Sequence, residues 1–327
     1  MLSALDTTAR LPVVAATDRF RTVFDGTLDW FVANLKQFDP FKGDDGTEFD
    51  SYYVKPFLEL ASLCMLHDRF AVSQRDPRVA KVALFIHGLW RRPEYKERLL
   101  RYPEMLLVYG MTYIALDRYG LSEPFDRELL QRVVDEGYAT AVERLPFRCL
   151  DLRCMLDCGG FSHNLPSYAS LYEETLLAKT PSVLYLTDTD AYAVTHTIFY
   201  LYDFGSRSPD VIPKEQVPTI RWIVGALLGV YLRRRHWDLV AELLICCECL
   251  RWRPAFLFDA AWSALAAAQR RDGVVPGPYF SEEKEKELKL ADQRTYYLKE
   301  NYHTTLVSAL AALLSGTAES GMVTPES

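Results

Sequence analysis

The sequence predicts an all-α protein. Apolar residues recur three and four positions apart through most of the 327 residues. Alternating strand patterns are nearly absent. The gaps between helical stretches carry helix-stopping chemistry: DPFKGDDG, YGLSEP, CGG, FGSRSP, RRDGVVPGP and LSGTAESG.

The first helix is expected over 17–36 (TDRFRTVFDGTLDWFVANLK) and stops at DPFKGDDG. Periodic stretches at 51–66 and 77–91 give the next two. The helix over 103–119 (PEMLLVYGMTYIALDRY) runs into YGLSEP, and 125–143 begins beyond it. Past CGG come helices over 166–179 and 188–204, the latter ended by FGSRSP. Helices over 216–234, 235–250 and 254–271 follow, and RRDGVVPGP closes the last. A final helix over 301–315 stops at LSGTAESG. The stretch 278–300 is charged, and EEKEKELK reads as a solvated helix face or a mobile loop. The C-terminal dozen residues read as disordered.

A pair of helices recurs about every 40–50 residues, one with a charged stripe and one apolar nearly all round. The second kind includes MLLVYGMTYIAL, AYAVTHTIFYLY, AWSALAAA and TTLVSALAALL. A helix apolar on every side must be buried on every side. Inner buried helices inside outer amphipathic ones are the plan of an α/α barrel. The expectation is one such domain over 1–316 with a tail over 317–327; an irregular helical bundle is the alternative.

Hydrophobic residues make up 49% of the chain, enough for a large core. The net charge of −7 gives no broad basic face, so nucleic acid is not expected as a partner. The N-terminal stretch lacks a basic segment followed by an apolar core, so a secretory signal is not expected. The most apolar run, IRWIVGALLGVYLRRR, falls short of the roughly 20 residues that cross a bilayer. Seven cysteines, an odd number in apolar helical context, fit a reducing, cytoplasmic setting.

One segment stands out. LTDTDAYAVTHTIFYLYDFG, residues 186–205, is apolar with helical spacing, yet holds three aspartates and a histidine. A buried carboxylate is costly unless paired or used. On a helical wheel Asp188, Tyr192, Thr195, His196, Phe199 and Asp203 share a face about 100° wide. Ala191, Val194, Ile198 and Leu201 lie opposite. The mixed face holds no Lys, Glu or Arg and reads as the wall of a partly apolar pocket. Residues 188, 192 and 196 are spaced by four, so each side chain can reach the next. A carboxylate near His196 suits it to proton transfer at neutral pH. Phe199 and its aromatic neighbours could shelter a cation. The competing account is capping: Thr187 as N-cap with Asp190 at the third helical position, and Asp188 favouring the positive helix end. Capping leaves His196 and Asp203 unexplained.

AAAQRRDGVVPGPYF resembles the helix-then-loop "Q…DG…" signature of the α/α toroids, which include class II terpenoid cyclases, prenyltransferase β subunits and lanthionine-forming cyclases. NYHTTLVSALAALL is similar to one of their inner helices, opened by an aromatic–His pair. DTDAYAVTHTIFYL resembles the D-x-D-D-T-A helix of class II terpenoid cyclases, but departs from it at Ala191, where the second paired aspartate should stand. The resemblance covers the C-terminal half and the overall helical plan. It implies Asp190 as proton donor, whereas the wheel favours Asp188 with His196.

Further candidates are weaker. The loop GGFSHNLPSY carries His163 and Asn164, and loops at a barrel mouth carry function. Tyr302 and His303 open the last helix as a core histidine or a second cavity wall. CLDLRCMLDCGGFSH gathers Cys149, Cys154, Cys158 and His163, but the usual C-x2-C spacing is missing. The Cys–His neighbour pair of the lanthionine cyclases is missing too. ICCECL reads as core packing. No nucleotide, hydrolase-elbow, H-E-x-x-H or D-D-x-x-D motif occurs.

The expected function is proton-initiated cyclisation or isomerisation of a small apolar substrate in a central cavity. Asp188, Asp190, His196, Tyr192 and Asp203 are the catalytic candidates; Phe199, His163, Asn164, Tyr302 and His303 are the substrate-binding ones. No metal and no cofactor is expected. The alternatives are a zinc-dependent lanthionine-type cyclase, with Cys158 and His163 among its ligands, and a non-catalytic helical protein that holds a peptide.

Overall fold

The computed structural model describes residues 16–42, 48–71, 75–137 and 141–319. The described residues are helical apart from loops and one two-residue antiparallel pairing, β1 (Phe41–Lys42) with β2 (Glu48–Phe49). None of the described helices is long and apolar enough to cross a membrane.

In chain order the helices are α1 (Ala16–Asn34), α2 (Val54–Phe70), α3 (Pro77–Trp90), α4 (Pro93–Arg101), α5 (Leu106–Arg118) and α6 (Pro124–Asp135). Then come α7 (Pro146–Cys158), α8 (Tyr168–Glu173), α9 (Asp188–Tyr202), α10 (Val217–Arg234) and α11 (Trp237–Cys249). The last three are α12 (Leu257–Ala268), α13 (Glu282–Glu287) and α14 (Leu290–Glu319).

Six helices form a run of neighbours that returns to its start. The helix α14 packs on α2, α2 on α5, α5 on α7, α7 on α9, α9 on α11, and α11 on α14. The others back this run. α1 lies against α14, α3 and α12; α3 against α2 and α5; α6 against α5; α8 against α7; and α10 against α11 and α12. Among helices in the run, α5 and α11 are apolar on most sides because they have neighbours on most sides, whereas α2 and α7 keep charged residues. α11 is the extreme case, with Asp238 through Cys247 all buried.

Several boundaries differ from expectation. The predicted 125–143 helix stops at Asp135, and residues 138–140 lie outside those described. α7 falls in a stretch where no separate helix was expected; Pro146 starts it, and pairs of apolar residues alternate with Asp and Arg, which blurs its periodicity. The expected 166–179 helix is cut to six residues. The last helix is twice as long as its apolar part, because charged residues 290–300 continue it. AWSALAAA, read as all-round apolar, belongs to α12, whose outward alanines are exposed. Alanine tolerates both environments, so it hides the amphipathic pattern. Thr317–Glu319 are helical, and the rest of the expected tail lies outside the described residues, as does the N-terminal stretch read for a signal.

The residues behind the "Q…DG" resemblance have structural work. Gln269 donates from Nε2 to the carbonyls of Val23 and Gly273, tying α12 and its following loop to α1. Gly273 sits at φ 93°, and a Cβ there would collide with the Gly26 carbonyl. Only glycine satisfies both demands.

Candidate active site

The helix α11 brings Asp238 and Glu242 onto one face, one turn apart. Both are buried, at 4% and 1% exposure. His303 reaches them from α14 and Glu59 from α2. His303 Nδ1 lies 2.9 Å from Glu59 Oε1; its Nε2 lies 3.4 Å from Asp238 Oδ1 and 3.7 Å from Glu242 Oε1. Two hydroxyls from α9 hold the outer carboxylate oxygens: Tyr192 donates to Asp238 Oδ2 at 2.7 Å, and Thr195 donates to Glu242 Oε2. His196 Nδ1 donates to the Tyr192 carbonyl at 2.8 Å and lies 3.7 Å from Glu242 Oε2. A carbonyl only accepts, so Nδ1 carries the proton and the neutral ring has its lone pair on Nε2.

Burial alone would pull His303 below the ordinary histidine range, but the surrounding carboxylates, Glu59 first, outweigh it and hold it well above. Burial pushes Glu59 up, and His303 and Lys55 more than reverse that. Asp238 stays raised by burial, against His303 and with Glu242 adding repulsion. Burial also pushes Glu242 up, yet His196 and His303 bring it below its usual value. Asp151 is raised by burial, partly offset by Arg148 at 3.1 Å and by His196.

These groups open onto a cavity of about 490 Å³ to which all six helices of the closed run contribute. One wall is polar and acidic. The rest is largely apolar, with Leu58 from α2, Leu107 and Met111 from α5, Ile245 from α11, and Leu306, Val307 and Leu310 from α14, and it also holds Lys55 and Ser62 from α2 and Arg148 and Asp151 from α7. Aromatic rings crowd His196, with Phe147 and Phe199 at 5.6 Å and Tyr200 at 6.0 Å between centroids. Phe204 stacks on Phe199 at 5.2 Å and also faces the cavity.

The expected site residues divide. His196, Tyr192, Phe199 and His303 line the cavity. Asp188 does not: it accepts from Arg234 at 2.7 Å and Tyr231 at 2.9 Å, and Arg234 holds it below the carboxylate range. The wheel placed Asp188 near His196, but the first residue of a helix meets the neighbouring helix end before it meets the axis. Asp190 closes a capping box, accepting from the Thr187 backbone at 2.8 Å while Thr187 Oγ1 accepts from the Asp190 backbone. Its residue borders a smaller pocket of about 400 Å³ behind α9. Asp203 is the left-handed C-cap of α9, paired with Arg69 at 2.6 Å, and it too is absent from the cavity wall. His163 pairs with Asp157 at 2.8 Å, Asn164 is exposed, and Tyr302 packs against Phe38 in the core.

Glu59, Asp238, Glu242 and Asp151 were missed. A signal existed for two: Asp238 and Glu242 stand four apart in WDLVAELLICCEC, a helix with no other polar residue before Glu248. Glu59 carries none, because α2 mixes charges freely.

Among the described residues, two groups bring three metal-type donors within 4.8 Å of one another: Asp238, Glu242 and His303, and Cys154, Cys158 and Asp203. The zinc set expected around Cys158 and His163 does not assemble, since His163 is tied to Asp157 and Cys158 faces Asp203 instead. In the second group Arg69 already supplies the cation, 2.6 Å from Asp203 and 3.6 Å from Cys158. The Cys158 thiol is pulled down to about 7, first by the hydrogen bond from Cys154 and then, against burial and Asp203, by Arg69.

Residues 24–313 match the family described as a domain of unknown function, DUF6895, and the chain belongs to that family. No curated protein and no solved structure matches it.

Proposed function

We propose that this protein is an enzyme that isomerises or cyclises a small, largely apolar substrate by proton transfer inside an α/α toroid. The closed run of six helices supports the toroid reading, because its cavity receives side chains from every one of them. The observation that carries the chemistry is the convergence of four carboxylates, Glu59, Asp151, Asp238 and Glu242, and two imidazoles on a cavity whose lining is otherwise largely apolar. Burying such groups is expensive, and sites that bear this cost are commonly reaction sites.

His196 Nε2 is the base: its tautomer is fixed by the Tyr192 carbonyl and its ring sits among Phe147, Phe199 and Tyr200. The Glu59–His303–Asp238–Glu242 cluster is the acidic pole beside it, with Glu242 Oε2 3.7 Å from His196 Nδ1. The aromatic faces and the carboxylates favour a cationic course, in which a protonated acid of the wall gives its proton to an alkene carbon of the substrate and His196 Nε2 then takes a proton from a neighbouring carbon.

Solvent-deuterium incorporation tests this. The purified chain is incubated in D2O with a panel of isoprenoid alcohols, cyclic enones and other small alkenes, and products are read by mass spectrometry. Wild type should label at least one compound at carbon, and His196→Ala should lower that rate by roughly 100-fold or more, the usual contribution of a general base. Equal labelling by wild type and His196→Ala sinks the proposal.

A further inference from the structure

We infer that Asp238, Glu242 and His303 form a binding site for a divalent transition-metal ion such as Zn2+ or Mn2+. This rests on the cavity being the reaction site and adds a cofactor to it.

Three donor atoms point inward: Asp238 Oδ1, Glu242 Oε1 and His303 Nε2. Nε2 stands 3.4 and 3.7 Å from the two oxygens. Ligand atoms about 2.0–2.2 Å from a shared ion are separated by such distances. Each donor has an outer partner that aims it. Glu59 Oε1 lies 2.9 Å from His303 Nδ1, an ion-pair distance, so when an ion displaces the Nε2 proton the remaining ring proton stays on the Glu59 side. Tyr192 holds the far oxygen of Asp238, and Thr195 that of Glu242. Carboxylate-backed histidine and hydroxyl-backed carboxylates are how protein sites orient metal ligands.

Independently of the clustering, Asp238 Oδ1 is buried and accepts no hydrogen bond among the described residues. A carboxylate oxygen left bare in a residue only 4% exposed calls for a cation. Lys55 lies 3.5 Å from Glu59, but among the described residues no Lys or Arg pairs with Asp238 or Glu242, which only the imidazoles of His303 and His196 approach. One nitrogen with two oxygens is a borderline donor set that suits first-row divalent ions and leaves positions open toward the cavity. The thiol-containing group at Cys154, Cys158 and Asp203 lacks this opening, because Arg69 occupies it.

Cobalt reports which donors bind. The full chain, stripped with chelator, is titrated with Co2+, Zn2+ and Mn2+ by calorimetry and absorption. The expected result is one ion per chain, cobalt d–d bands, and no thiolate charge-transfer band. Asp238→Asn, Glu242→Gln and His303→Ala should lose binding, and Glu59→Gln should weaken it about 10–100-fold. Cys154→Ala/Cys158→Ala should bind as wild type. Circular dichroism and thermal melts keep folding apart from binding, and the outer variants Glu59→Gln and Tyr192→Phe carry the test if an inner one unfolds. No stoichiometric ion, a thiolate band, or unchanged binding in the outer variants overturns the inference. Deuterium incorporation without metal would leave the proposed reaction standing and remove the ion. Metal binding without incorporation by any panel compound would do the reverse.

Discussion

The cluster around His303 and the cluster around Arg69 are made of similar parts. Each gathers groups that can carry negative charge around one cation: Glu59, Asp238 and Glu242 around His303, and Asp203 with the Cys158 thiol around Arg69. Around Arg69 the cation is permanent. It bonds Asp203, contacts Cys158, and Ser206 completes the carboxylate's partners at 2.9 Å. Around His303 the cation is a removable proton, one carboxylate oxygen is bare, and the group faces a cavity. The first arrangement is finished and the second has room for something else.

The finished cluster also serves the unfinished one. Asp203 and Phe204 both adopt left-handed backbone, at φ 43° and 54°. Aspartate tolerates it better than most residues, but phenylalanine does not, at a cost of about 1–3 kcal/mol. The Arg69–Asp203 pair and the Phe204–Phe199 stack hold that turn, and so hold the Phe204 ring against the cavity.

The difference gives graded outcomes. Arg69→Met should show the largest: breaking a buried pair from one side costs about 3–5 kcal/mol, read by denaturant unfolding. A loss under about 1 kcal/mol would mean Asp203 is solvated and the lock idea fails. Acid should probe the same pair next. Burial pushes Asp203 up, but Arg69 overrides it and holds the folded carboxyl below the ordinary value. Its stabilisation is therefore complete above the unfolded carboxylate value, near pH 4, and drains away as pH falls through the lower folded one. The acid slope of stability should flatten in Asp203→Asn; an unchanged slope would clear Asp203 of any part in it.

Thr187→Ala should cost about 1 kcal/mol through the lost cap and leave deuterium incorporation intact, since Thr187 and Asp190 serve the helix start. A collapse of activity in that variant, with the fold kept, would return Asp190 to the catalytic candidates. Asp188→Asn should change stability by less than about 1 kcal/mol, because its pair with Arg234 is half exposed. The smallest stability effect belongs to Asp238→Asn. Neutralising one of several crowded carboxylates relieves repulsion, so folding should shift by under about 1 kcal/mol while incorporation falls at least 10-fold. A large stability loss there would make the two clusters alike.

The spacing within α9 identifies part of its site, for a clear reason. Periodicity fixes which side chains share a face, so His196, Tyr192 and Phe199 group together on sequence alone. It does not fix what a helix end meets. Asp188, Asp190 and Asp203 all sit at ends, where the choice between cap, surface pair and buried lock depends on neighbours far along the chain: Arg234 for one, Arg69 for another. His303 was legible as a histidine at the head of an apolar helix, but its partners were not. Glu59 lies 244 residues earlier (303 − 59) and Asp238 65 residues earlier (303 − 238).

The helical class, the main helix positions and the greasy character of the inner helices follow from local spacing and helix-stopping residues, which act within a turn or two. The closing of the helix run, the cavity that its six helices line and the meeting of Glu59, Asp238, Glu242 and His303 depend on which helices lie side by side. That is settled by packing of the whole chain, where burial sets the charge state of each group and no local pattern records it.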